Sequence, residues 1–76
     1  MMTDRLTLEN YARECAAVTY EDCSDAEQER TLALGNSDIA DLYLIDVDGI
    51  VITDEDREAF GAAYRRELRE LREAEE

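Results

Sequence analysis

Twenty-one carboxylates stand against eight arginines, a formal net charge of −13 on 76 residues, and any fold must hold together against that field. Self-repulsion of this size destabilises a compact state. A chain this short also buries only about 60% of the surface its unfolded form exposes, so its core is small. Against this, 45% of the residues are apolar, an ordinary share for a globular protein. That share is too high for the low-hydrophobicity, high-charge signature of disorder. The expectation is one folded domain over residues 1–76 with an acidic surface.

The charge is unevenly placed. Residues 1–64 hold 16 acids and 4 arginines, net −12, whereas residues 65–76 hold 5 acids and 4 arginines, net −1. Every cation is Arg, with no Lys and no His. A negative surface disfavours nucleic acid and anionic lipid as direct partners, because phosphate binding needs Lys and Arg. It favours cations, or a protein with a basic surface. No stretch approaches the ~20 apolar residues of a membrane span. Met1-Met2-Thr3-Asp4-Arg5 lacks the basic region and apolar run of a signal peptide, so the expected location is the cytoplasm. Thiols there stay reduced. Cys15 then reads as a small apolar core residue and Cys23 as a turn residue, with a disulfide between them as the alternative. Two thiols alone make a poor metal site.

Periodicity predicts a first helix from about Leu8 to Thr19, capped by Thr7. Leu8, Tyr11, Cys15 and Val18 recur at helical spacing, with Ala12 and Ala16 beside them. Ser24-Asp25-Ala26-Glu27 is a capping box that opens a second, surface helix ending at Gly35. Ser37 is placed to cap a short helical turn through Ile39 and Ala40. From Leu42 to Thr53, β-branched residues flank Asp48-Gly49, the pattern of a β-hairpin with a two-residue turn. Thr53 caps a last helix whose apolar stripe is Phe60, Tyr64, Leu68 and Leu71, with Ala59 and Ala63 alongside. Arg66–Glu70, Arg69–Glu73 and Arg72–Glu76 stand at i,i+4. Acids at the helix C-terminus oppose the dipole, so the last residues should fray. The order α-α-β-β-α predicts an α+β domain, helices packed on a two-stranded antiparallel hairpin.

Catalytic chemistry finds little purchase. Without His or Lys there is no ordinary base and no Schiff-base amine. Glycines 35, 49 and 61 form no phosphate loop, and glycosidase-type carboxylate pairs need a cleft. The expectation is a protein without enzymatic activity or cofactor. Calcium is one alternative, since residues 44–55 resemble a 12-residue EF-hand loop. Asp46 stands at position 3, Asp48 at 5, Gly49 at the turn, Val51 at the buried position 8 and Glu55 at 12. Leu44 occupies position 1 where a coordinating Asp belongs, Ile52 is apolar at position 9, and no second loop exists to pair with. Solvent adaptation in a halophile is another alternative.

The leading reading uses the acids as an array. Carboxylates three or four apart on a helix lie about 5–6 Å apart, and alternate ones on a strand about 6.5 Å. Such an array imitates backbone phosphates and can occupy a groove built for DNA. The expected contacting residues are Asp46, Asp48, Asp54, Glu55, Asp56 and Glu58, followed by Asp38, Asp41, Asp22 and Asp25.

In size, acidity, mixed α+β pattern and absence of catalytic residues, the chain resembles the small phage-encoded anti-CRISPR proteins of the acidic, DNA-mimicking type. The resemblance covers the whole chain as a profile, without a diagnostic motif. It implies a stoichiometric inhibitor, acting in the host cytoplasm, on the basic DNA-binding surface of a CRISPR-Cas effector. In a type I complex (Cascade) that surface would be the PAM-reading region of the large subunit. Mimics aimed at restriction enzymes, glycosylases or nucleoid proteins share the profile. The expected oligomeric state is a monomer or weak homodimer, through a leftover face of the last helix beyond Tyr64.

Overall fold

The computed structural model describes residues 5–44 and 53–74. They form four helices: α1 (Arg5–Asp22), α2 (Asp25–Leu32), α3 (Asn36–Tyr43) and α4 (Asp54–Ala74). Helix accounts for 89% of these residues, and no strand occurs among them. The expected α+β fold with a two-stranded hairpin is therefore corrected to an all-helical one. The Asp48-Gly49 turn lies outside the described residues.

The error began at Leu42 and Tyr43, which form the last turn of α3 rather than the first residues of a strand. Ile39, Ala40 and Tyr43 lie on one helical face, and the Leu44 N–H closes the helix onto the Ala40 carbonyl at 2.6 Å. Ile39 and Ala40 are fully buried in the core with Phe60 and Tyr64 of α4. Tertiary packing thus carries the expected helical turn at Ile39 and Ala40 on through Leu42 and Tyr43, as it commonly overrides local preference. Gly35 supports this from the other side. With φ −71° and ψ 163° it is an extended N-cap for α3, not the left-handed terminator expected for α2. That helix already stops at Leu32.

Of the four predicted caps, Ser24 and Thr53 hold, whereas Ser37 lies inside α3, whose N-cap is Gly35. Ser24 accepts from the Glu27 N–H at 3.3 Å and opens α2. Thr53 and Asp56 cap α4 reciprocally: the Asp56 N–H donates to Thr53 Oγ1 at 3.1 Å, and the Thr53 N–H to Asp56 Oδ2 at 3.2 Å. Thr7, by contrast, lies inside α1, which starts at Arg5.

The core gathers Leu8, Ala12 and Ala16 of α1, Ile39 and Ala40 of α3, and Phe60, Tyr64 and Leu68 of α4. On α1 the buried line is Leu8–Ala12–Ala16–Thr19, about one residue around from the expected one. Tyr11 is 44% exposed and Val18 55%, while Cys15 is half-buried. The alanines let α1 approach α4, whose large Phe60 and Tyr64 fill the space between them at the density cores require. Tyr11 and Tyr43 each pack a ring on Phe60, at centroid distances of 5.7 and 6.0 Å. The body measures 40 × 19 × 19 Å, two helix diameters thick, so α4 can pack on both α1 and α3 and still keep a solvent face.

α2 is tied to the end of α1 by a buried side chain at its middle. Gln28, buried to 6% exposure, donates through Nε2 to the carbonyls of Tyr20 and Cys23, both at 3.0 Å. This amide closes the corner between α1 and α2, satisfying carbonyls that a helix end leaves open.

α3 reaches α4 through a single small residue. A Cβ placed on Gly61 would run into the Asn36 backbone, with the carbonyl carbon 2.6 Å away. In a solvent-facing helix, Gly to Ala gains about 1 kcal/mol. Here Gly61→Ala should instead destabilise by about 1–3 kcal/mol, because backbone must move. Urea denaturation checks the sign: a G61A protein more stable than the parent would mean that α3 does not pack this closely.

Candidate protein-binding surface

The acids converge most clearly where α3 meets the start of α4. Asp54, Glu55 and Asp56 fill the first turn of α4, where the helix dipole favours negative charge. One turn on, Glu58 accepts from Asn36 Nδ2 at 3.1 Å and from Ser37 Oγ at 3.2 Å. Asp41 of α3 stands 3.8 Å from the Arg57 guanidinium. Asp38 lies in the first turn of α3, exposed. Asp54, Glu55 and Glu58 border an open hollow of about 550 Å³, floored by Ala59 and Ala62 and closed on one side by Asn36.

The expected contacts thus divide by what each side chain already does. Asp38, Asp54 and Glu55 are exposed and make no ion pair among the described residues. Asp56 caps α4, and Glu58 ties α3 to α4, so both hold the fold together. Asp22 is exposed at the end of α1, away from this group in the chain. Asp25 is bound at 2.7 Å by Arg72, which also lies 3.4 Å from Glu29. Asp46 and Asp48 lie outside the described residues.

Sequence reasoning missed where the arginines go. Arg72 reaches α2, and Arg13 of α1 meets Glu67 of α4 at 3.2 Å. The expected Arg66–Glu70 and Arg69–Glu73 pairs do not form; Arg66 and Arg69 make no ion pair among the described residues. The available signal was the run of acids from Glu21 to Glu29 with no cation of its own, which a distant arginine can serve. Exposed pairs of this kind are worth about 0–1 kcal/mol each. Their effect is local: Arg72 partly neutralises α2 and Arg57 meets Asp41, while Asp38, Asp54 and Glu55 keep their charge.

A second cluster lies inside. The hydroxyls of Thr19, Tyr43 and Tyr64 form a triangle, with Thr19–Tyr64 at 2.5 Å and the other two edges at 3.0 Å. Thr19 also donates to the Cys15 carbonyl at 3.0 Å. With that proton committed, two remain for three edges, so one edge holds oxygens in contact without a proton between them. The cluster links α1, α3 and α4 across the core. Burial pushes the Tyr64 hydroxyl well above its ordinary value of 10.0. Burial likewise raises the Cys15 thiol above 9.0, partly opposed by a hydrogen bond from Tyr11. Tyr64 therefore stays protonated and serves the cluster as a neutral hydroxyl.

Both groups keep their protons in the fold at pH values where the unfolded chain sheds them. Their contribution is thus complete below the ordinary values of 9.0 and 10.0 and is lost as pH rises past them. The melting temperature should be flat up to about pH 9 and fall above it, with Tyr64 adding at most about 1.4 kcal/mol per pH unit. Tyr64→Phe should make that fall shallower. A melting temperature that rises between pH 9 and 11 would contradict the buried placement of Tyr64.

Among the described residues no group of three or more His, Cys, Asp or Glu side chains is arranged to hold a metal ion. Both cysteines are free thiols. No described helix is long and apolar enough to cross a membrane. Compared with family models, curated protein sequences and solved structures, the chain shows no match.

Proposed function

We propose that this protein acts by binding, without catalysis, and that its acidic α3–α4 end occupies the basic nucleic-acid-binding surface of a partner protein as a mimic of DNA. The observation that carries this reading is the grouping of Asp38, Asp54 and Glu55, exposed and without ion pairs among the described residues, where α3 meets the start of α4. Exposed carboxylates gathered there steer a cationic partner and make its association salt-sensitive. The apolar floor of Ala59 and Ala62 beside these acids suits the stem of an arginine or lysine whose head meets the carboxylates. The resemblance to acidic anti-CRISPR proteins, now in size, acidity and lack of catalytic residues without the α+β pattern, suggests the DNA-binding surface of a CRISPR effector as the partner.

The triple variant Asp38→Asn/Asp54→Asn/Glu55→Gln spares the Thr53–Asp56 cap and the Glu58 anchor, so the fold should persist. In pull-downs from host lysate at low salt, the parent should capture nucleic-acid-binding proteins and release them at high salt. The variant should retain about a tenth or less of that capture. Undiminished capture by a folded variant would sink the acidic-face reading.

One structural observation favours a second reading. α3 ends at Tyr43, where the sequence suggested a strand, and α4 begins at Asp54 as expected, so the EF-hand-like window 44–55 is framed by helices. Leu44 at the first ligand position still counts against it. Calorimetric titration with calcium should show one site that Glu55→Gln removes; millimolar calcium without heat ends this reading.

A further inference from the structure

The charge on α4 changes sign across one small residue. Glu55 and Glu58 precede Ala62, Arg66 and Arg69 follow it, and all five are exposed. Glu58 and Arg66 stand four residues from Ala62 in opposite directions; Glu55 and Arg69 stand seven. At about 100° per residue, Glu55 and Arg69 lie within about 20° of the direction of Ala62, and Glu58 and Arg66 within about 40°. All of them share one face. The acid-bordered hollow adjoins another of about 330 Å³ lined by Arg65, Arg66 and Arg69 together with Glu70 and Glu73, and the two share Asn36 and Ala62. Arg66 and Arg69 make no ion pair among the described residues, although Arg13, Arg57 and Arg72 all do. Glu55 and Glu58 on one side and Arg66 and Arg69 on the other therefore lie at equal distances from a methyl group, with Glu73 beyond Arg69.

We propose that this face of α4 pairs with the same face of a second copy of the chain, antiparallel, about a two-fold axis at Ala62. A two-fold interface must be self-complementary, and this spacing makes it so. Glu55 comes level with Arg69 of the second copy and Glu58 with its Arg66, each contact occurring twice. Ala62 against Ala62 permits an interaxial distance near the short end of the 8–10 Å range. Asp54 and Glu70, like charges that also come level, lie roughly 80° off on opposite flanks and stay apart. The hollows leave room for the long arginines of the facing copy.

The net charge opposes this pairing, since two copies each bring −13. That repulsion is long-ranged and is screened over about 8 Å at physiological salt, whereas contacts at ion-pair distance within an interface are screened much less. Self-association should therefore strengthen from low to physiological salt, the opposite trend to capture of a basic partner by the acidic end. The inference does not rest on the DNA-mimic reading, because its test uses the protein alone.

Sedimentation equilibrium at physiological salt should show a reversible dimer within concentrations up to about 1 mM. Arg69→Glu or Glu55→Arg alone should weaken it about tenfold, and the double charge swap should restore it. Both side chains are exposed and unpaired in the monomer, so circular dichroism should be unchanged. A parent that stays monomeric throughout, single variants that pair as tightly as the parent, or a double swap no tighter than the singles would each overturn the proposal.

Discussion

The close contact between the backbone of Asn36 and Gly61 is the constraint from which the rest of the structure follows. It seats the N-terminus of α3 directly on α4, with no side chain between them. From that seat Asn36 and Ser37 reach Glu58, and Ile39 and Ala40 enter the core with Phe60 and Tyr64. The same seat brings Asp41 to Arg57 and the hydroxyl of Tyr43 to Tyr64. A side chain at position 61 would separate two helices whose apolar and polar contacts are interdependent.

α4 carries both sides of the protein's physics. One face supplies the largest buried side chains, Tyr64, Phe60 and Leu68, and the opposite face carries the sign change across Ala62. Burial of this apolar set must outweigh the repulsion of a −13 chain. Arginines relieve that repulsion across helices: Arg13 serves α4, Arg57 serves α3, and Arg72 serves α2. Each pair contributes little energy. Together they determine which acids remain available to a partner.

Much of this was legible in the residues, for identifiable reasons. Ser24 and Thr53 are caps whose geometry is closed within four residues, so local chemistry settles them. The Phe60–Tyr64–Leu68 stripe is too regular to serve any other element. The α1 stripe misled because Tyr11, Cys15 and Val18 are also at helical spacing with Leu8. Nothing within α1 says that the alanine line, by being small, would win the contact with α4. The unpaired state of Asp38, Asp54 and Glu55 was likewise invisible, because it depends on which distant arginines arrive.

By itself the sequence determined the helical character of α1, α2 and α4, two of the caps, and the asymmetry of charge along the chain. These rest on periodicity, capping and counting, all local properties. Only the tertiary structure decided that the helical turn at Ile39 and Ala40 continues through Tyr43, that α1 turns its alanines inward, and that Arg72 reaches α2. Each of those outcomes is a competition between alternatives nearly equal in local energy. Contacts with residues distant in the chain, above all those on α4, tip the balance.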